Sequence, residues 1–438
     1  MMKHVRTVAR ETLTPARQIW AAWCRFWFAP ISPVTLGLYR ILYGCCILIF
    51  VALLAPEVFT WFAADSMMRP ASAEKFWGAT PHWSVLLWFP QRPAVALFFV
   101  VFAIAALLLT LGLWTRFSAL LVFLGLISIG HRNPLVLNGA DVVLRVMGFY
   151  LVLAPAGAAL SVDRLRAIAR GEAGPKPDLV PAWTLRLMQL QISLIYASTV
   201  LLKLKGTIWP SGLAVYYTLR LEEFHRFPVP FLAHSLLLVN LATYWTLAVE
   251  LGLAFAVWIP GLRRFALING VLLHLGIEYS MNVPQFEYIM MTNLVLFCDV
   301  EGWWERMRAR WPLRTLARVR LLVDGGCAAC RREVLLWQAL DPCGRIEARD
   351  TGAHIEPLTP VLALSSGEVR TGAEAARWLA WRTPALWPLA PLLALPGIYR
   401  VLRRPARAFL GLPRHDAVPP ELSDRTAAGV EREAVMVR

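Results

Sequence analysis

The sequence predicts a multi-span α-helical membrane bundle of about eight helices followed by a small C-terminal α/β domain. Three observations carry that expectation. The chain has 438 residues, of which 58% are hydrophobic and 17% charged, whereas a soluble domain is nearer half apolar and a quarter charged. Long apolar runs recur up to about residue 300. There the character changes, and Leu321 to Val334 reads LLVDGGCAACRREV: a short apolar strand, a glycine turn, two cysteines at CxxC spacing, then a helix.

Residues 1–30 are basic and aromatic. Lys3, Arg6, Arg10, Arg17 and Arg25 precede any long apolar run, and no small-residue cleavage site follows, so a cleaved leader is not expected. Trp and Phe beside Arg over residues 10–30 read as a helix lying in the membrane interface. The bundle is expected over residues 31–305. Its apolar segments fall at 35–55, 93–114, 117–130, 141–155, 183–204, 231–259, 264–281 and 286–300. Positive charge recurs in alternate loops: at Arg116, over Arg164 to Lys176, at Arg263 and Arg264, and from Arg306 to Arg320. By the positive-inside rule both termini lie in the cytoplasm of a bacterial-type inner membrane. The net charge of +15 is spread over these loops and forms no single stripe. That fits an anionic lipid surface and excludes nucleic acid as the expected partner. The cysteines number seven, and Cys24, Cys45, Cys46 and Cys298 lie in or beside apolar segments, which argues against a secreted disulfide framework.

Polar residues inside apolar segments are costly in lipid and mark function or internal pairing. Gln189, Ser193, Tyr196, Thr199 and Lys203 follow spacings of three and four and share one helix face. Asn240, Thr243 and Glu250 form a similar face. His274, Glu278 and Asn282 stand at i, i+4, i+8. Arg40 lies in the first segment, and Asp141 with Arg145 opens the fourth. Each has a bland reading: Asp141–Arg145 as an ion pair, Arg40 as a partner of Glu250 or a cap on exposed carbonyls, Lys203 as a lysine reaching for the interface. The sharper reading makes Lys203 a general base in an apolar cavity, with His274 as a proton shuttle. Lys203, His274, Glu278, Glu250 and Arg40 are the candidates for a membrane cavity.

Three stretches of this half resemble the HTTM family, the transmembrane region shared with vitamin K-dependent gamma-carboxylase. They are Leu36 to Gly44, Lys203-Leu204 with Trp209 to Gly212, and His274 with Phe286 to Phe297. In that carboxylase the lysine of a Lys-Leu pair shortly before a Trp is taken as the base that deprotonates vitamin K hydroquinone. Lys203 falls on that position with one residue inserted before Trp209, and Lys205 is the alternative. The resemblance implies an isoprenoid quinone as cofactor or a lipid as ligand. The carboxylase's Asn-His pair is Asn138-Gly139 here, with His131 seven residues earlier, so glutamate carboxylation is not implied.

A basic linker at 306–317 leads into a domain expected over 318–412. Leu321 to Val323 is its first buried strand, and Asp324 with two glycines makes a tight turn. Cys327 opens the next helix, where unpaired N–H groups and the helix dipole stabilise a thiolate. Cys330, one turn further in, is placed to resolve a mixed disulfide. Pro360 opens the apolar strand Val361 to Leu364, a hairpin returns through Val369 to Thr371, and a helix follows from Gly372. Strand, CxxC helix, strand, proline strand, hairpin and helix is the order of a thioredoxin-like fold, in which that proline usually has a cis bond.

Asp324, Cys327, Cys330 and Gly372 to Ala375 resemble the DCC family of thiol-disulfide oxidoreductases. That implies Cys327, Cys330, Pro360 and Asp324 as catalytic residues and a protein thiol substrate or reductant as partner. The competing reading is a zinc site completed by Cys343 and His354; no metal is assigned. Residues 413–438 are expected to be disordered. Two functions stand side by side: a membrane-anchored thiol-disulfide oxidoreductase, or a quinone- or lipid-binding membrane enzyme or maturation factor whose C-terminal domain is a docking module.

Overall fold

Backbone N–H and C=O groups find no water in a bilayer, so an apolar run must pair them within itself as a helix. In the computed structural model the described residues are 15–310, 319–324, 326–341, 346–351, 360–364, 368–383, 386, 390–395 and 397–412. Each of the eight apolar segments carries a helix. These are α2 (Val34–Leu54), α3 (Arg92–Leu111), α4 (Thr115–Arg132), α5 (Gly139–Leu153), α7 (Trp183–Lys205), α8 (Leu236–Ala254), α9 (Pro260–Ser280) and α10 (Phe286–Leu294). Ahead of them lies α1 (Pro15–Phe28), and α6 (Val162–Arg170) sits in the loop after α5.

Among the described residues four stretches are long and apolar enough to cross a membrane: Val34–Phe62, Arg92–Leu111, Trp183–Lys205 and Leu236–Ala254. The other four helices are shorter or more polar; α9, for example, carries Arg263, Arg264 and Glu278. Length and composition therefore support four crossings where the apolar pattern predicts eight.

Local chemistry explains the helix ends. Asn138 accepts the Ala140 N–H at 2.7 Å, and Asp141 accepts the Asn138 N–H at 2.8 Å, which caps α5 reciprocally. The expected Asp141–Arg145 ion pair is not among the ion pairs of the described residues; Asp141 serves the cap instead. α4 ends on Arg132, which is fully buried. Its guanidinium donates to the carbonyls of Ala63 (2.7 Å) and Met68 (2.8 Å) and to the Ser66 hydroxyl (2.9 Å). One cation thus ties the α4 terminus to the loop that follows the first span. Trp20 and Trp23 of α1 are exposed, while Phe26 lies 4.9 Å beneath the Arg186 guanidinium.

The chain divides into two compact units. One holds the described residues of Met1–Leu107, Arg116–Pro155 and Leu179–Cys298; the other holds those of Leu108–Thr115, Ala156–Asp178 and Asp299–Arg438. The second unit contains α11 (Val300–Arg310), then a four-stranded sheet with helices. Its strands are β1 (Val319–Val323), β2 (Ile346–Asp350), β3 (Val361–Leu364) and β4 (Val369–Thr371), in the order β2-β1-β3-β4. β1 runs parallel to β2 and antiparallel to β3, and β3 antiparallel to β4. Helix α12 (Ala328–Leu340) links β1 to β2's side of the sheet, α13 (Gly372–Arg382) follows β4, and α14 (Ala390–Ala394) and α15 (Ile398–Leu410) complete the unit.

The core of the sheet joins Val319, Leu321, Val334, Leu362, Ala375 and Leu379. Each fully buried leucine there contributes about 1.5–3 kcal/mol. A second core joins Ile168 and Ala169 of α6 to Leu336 of α12 and Leu412. The loop helix α6 therefore packs on the helix that carries the CxxC pair. Asp163 fastens the same loop by accepting the N–H groups of Trp114 (2.9 Å) and Thr115 (2.8 Å). The expected linker stretch 311–317 and the tail 413–438 lie outside the described residues.

Candidate functional site

The second unit brings the two thiols together at the end of its central strand. Asp324 accepts the Gly326 N–H at 2.9 Å and the Asp324 carbonyl accepts the Cys327 N–H at 3.2 Å. This closes the turn, so Asp324 shapes the approach to the thiols. Cys327 is the N-cap of α12, and its sulfur accepts the Cys330 N–H at 3.5 Å. Cys327 is half-buried and Cys330 buried. Burial pushes the Cys330 thiol well up, helped by its hydrogen bond with Cys327 and by the charges of Cys327 and Glu333. A group so raised stays protonated at neutral pH.

Pro360 is buried immediately before β3. The register Leu322↔Val361 puts it opposite the C-terminal end of β1, the end from which the Cys327 turn departs. Its carbonyl accepts the Gly372 N–H at 3.0 Å. The bond before Pro360 involves Thr359, outside the described residues. Cys343 and His354, the remaining ligands of the zinc reading, lie outside them as well. No group of three or more His, Cys, Asp or Glu suited to a metal occurs among the described residues.

The first unit builds a second arrangement on α7, whose polar stripe faces α8, α9 and α10. Gln189 donates to the Leu296 carbonyl at 2.7 Å, and Ser193 accepts the Trp258 indole N–H at 2.8 Å. Tyr196 and His274 are buried, with the hydroxyl 2.7 Å from Nε2. On its other edge His274 Nδ1 meets the Glu287 carboxylate, also buried. In the neutral tautomer with its hydrogen on Nδ1, the ring donates to Glu287 and Nε2 accepts from Tyr196. One turn along, Thr199 donates to the Tyr196 carbonyl at 2.9 Å and lies 3.4 Å from Glu250 Oε2. The other Glu250 oxygen pairs with Lys203, whose ammonium stands 4.6 Å above the Trp209 ring. The result is a polar file along α7, Glu287–His274–Tyr196 and Thr199–Glu250–Lys203, whose two halves meet through the Tyr196 backbone carbonyl.

This arrangement departs from the sequence reading in three ways. Lys203 is ion-paired and seated on an indole face, not isolated in an apolar cavity. Glu250 belongs to Lys203, so the expected Arg40–Glu250 pair does not form; Arg40 is fully buried elsewhere in α2. Glu278 turns away from His274 and pairs with Arg226, which also lies 3.3 Å from Asn282. A crevice in this unit, lined by Tyr39, Tyr43, Cys46, Met147 and Thr292, includes neither Lys203 nor His274.

A family model for the HTTM domain matches residues 28–303. The chain belongs to the HTTM family. The HTTM match spans the helices from α2 to α10 and the whole polar file, and it ends before the CxxC turn. No solved structure matches the chain. Together with its apolar helices, the match makes this an integral membrane protein with an HTTM domain.

Two carboxylates escaped the sequence reading. Glu287 is a lone acid in an apolar stretch, which is itself the signal of an internal partner. Glu333 sits one turn beyond Cys330, is buried, and accepts the Trp337 indole N–H at 3.1 Å. It reads from sequence as an ordinary helix-surface glutamate beside Arg331 and Arg332.

Proposed function

We propose that this HTTM protein exchanges thiols and disulfides through Cys327 and Cys330. The observation that carries the reading is the capped geometry: Cys327 Sγ at the start of α12, within hydrogen-bonding reach of the Cys330 N–H, with Cys330 buried behind it. The strand order and directions, with Pro360 at the same end of the sheet, support a thioredoxin-like domain of the DCC type. In the reducing direction the Cys327 thiolate attacks one sulfur of a substrate disulfide. The S–S bond breaks, a mixed disulfide forms, and the departing sulfur takes up a proton. Cys330 then gives up its proton and attacks Cys327 Sγ, releasing the second substrate thiol. Two electrons pass from the CxxC pair to the substrate, and a dithiol protein restores the pair.

The test uses full-length protein in lipid nanodiscs and an aromatic disulfide reporter. Cys327→Ser is expected to abolish reduction. Cys330→Ser is expected to accumulate the mixed disulfide, which in cells captures the protein partner. Retention of full exchange in Cys327→Ser would refute the reading. The placement that goes with it is a bacterial-type inner membrane with both termini in the cytoplasm.

A second reading rests on the Glu287–His274–Tyr196 contacts. It makes the HTTM bundle the active part, with Lys203 and His274 as acid–base groups toward a lipid-soluble substrate such as an isoprenoid quinone, and the C-terminal unit as a docking module. Loss of function in Lys203→Ala with activity retained in Cys327→Ser would favour it, as would a quinone extracted with the purified protein.

A further inference from the structure

Helix α15 is amphipathic the wrong way round for a helix that only covers a domain. At about 100° per residue, Ile398, Val401, Leu402, Pro405, Ala408 and Phe409 fall on one face. That face looks largely outward: Val401 is 68% exposed, Leu402 36%, and Phe409 47% with the Arg166 guanidinium 5.3 Å from its ring. Arg403 and Arg407 lie on the opposite, half-buried side; Arg400 stands exposed on that same side, and Arg404 stands exposed nearer the apolar face. Leu392 and Leu395, just ahead, are exposed as well.

We propose that this face of α15 rests on the surface of an anionic bilayer, with Val401, Leu402 and Phe409 in the acyl boundary and Arg400 and Arg404 at the headgroups. Four features select a lipid surface over a protein partner. The stretch from Ala375 to His415 contains no aspartate or glutamate, so its charge is uniformly complementary to anionic headgroups. Apolar residues on one face with arginines on the other are the pattern of a helix lying in the interface plane. Pro405 inside the helix removes the N–H that would bond the Val401 carbonyl, and the hydrated headgroup layer satisfies that oxygen. The helix has 13 residues, too few to cross a hydrocarbon core, and the HTTM helices already hold the chain at a membrane. The proposal is independent of the thiol chemistry.

The test places p-benzoylphenylalanine at position 401 or 409 of the full chain, in nanodiscs of phosphatidylcholine with or without phosphatidylglycerol. Light should give lipid adducts, enriched in phosphatidylglycerol over its share of the bilayer. The same label at Glu347, on an exposed strand of the same unit, should give none. Arg400→Gln and Arg404→Gln should each lower the phosphatidylglycerol adduct about fivefold at limiting anionic lipid, without changing the circular dichroism spectrum. Adducts to a second copy of the chain, adducts to its own residues 413–438, or no lipid adduct in any bilayer would each overturn the proposal.

Discussion

The hydroxyl of Tyr196 lies 2.7 Å from His274 Nε2, and that contact joins α7 to α9. Tyr196→Phe keeps the ring and removes the hydrogen bond, so it should cost about 0.5–1.5 kcal/mol. Glu287→Leu leaves the Nδ1 hydrogen of a buried imidazole without an acceptor and should cost about 1–3 kcal/mol. Thermal inactivation of the two variants in nanodiscs checks the order. Equal midpoints would show that Glu287 does not orient the ring.

Lys203 and Glu250 offer a sharper comparison. Lys203→Met strands a largely buried carboxylate, and Glu250→Met strands the ammonium; each should destabilise by about 3–5 kcal/mol. The double variant replaces the pair with apolar volume and should recover most of that loss. A double-mutant cycle read by thermal unfolding measures the coupling, and additive losses would contradict the pairing.

Arg132→Met should be among the most damaging changes at the end of α4. It leaves the carbonyls of Ala63 and Met68 and the Ser66 hydroxyl without their donor. The expected loss is about 2–4 kcal/mol, read as a lower unfolding midpoint and faster proteolysis within residues 63–68. Arg132→Lys reaches one of the three acceptors and should rescue only in part.

Glu333→Gln tests the environment of Cys330. The Glu333 charge is one of the influences that raise the Cys330 thiol. Removing it leaves burial in place but takes away a repulsion against the thiolate. The Cys330 pKa should fall, so its thiolate fraction at any pH below that pKa should rise. The pH–rate profile for alkylation of Cys330, followed in a Cys327→Ser background, should move to lower pH. A profile that stays in place would contradict an influence of Glu333 on the thiol.

Much of this was legible in the sequence because two periodicities are strong. The three- and four-residue spacing from Gln189 to Lys203 placed five polar side chains on one face, and all five make contacts on that side. The run from Leu321 to Cys330 contained its strand, its turn and its cap. What the sequence hid are choices between partners. Glu250 stood available to Arg40 and to Lys203, and only the packing of α7 on α8 decides for Lys203. Glu278 shares the His274 spacing, yet a loop arginine, Arg226, takes it. Length and composition separate the eight apolar segments less sharply: α9 carries Arg263, Arg264 and Glu278, and α10 has nine residues, so neither meets the measure that the four longer stretches meet.

The packing of α6 on α12 bears on how the chain is made. The hydrophobic face of α6, with Ile168 and Ala169, leaves the ribosome long before Leu336 and Leu412, the residues that cover it. For the whole interval in which α7 to α10 are made, that face waits for these residues. The second unit therefore closes only once Leu412 has been made, and a chain truncated before Leu412 should present α6 as a handle for chaperones and proteases. Synthesis as far as Leu412 is, in effect, what certifies the loop some 240 residues earlier.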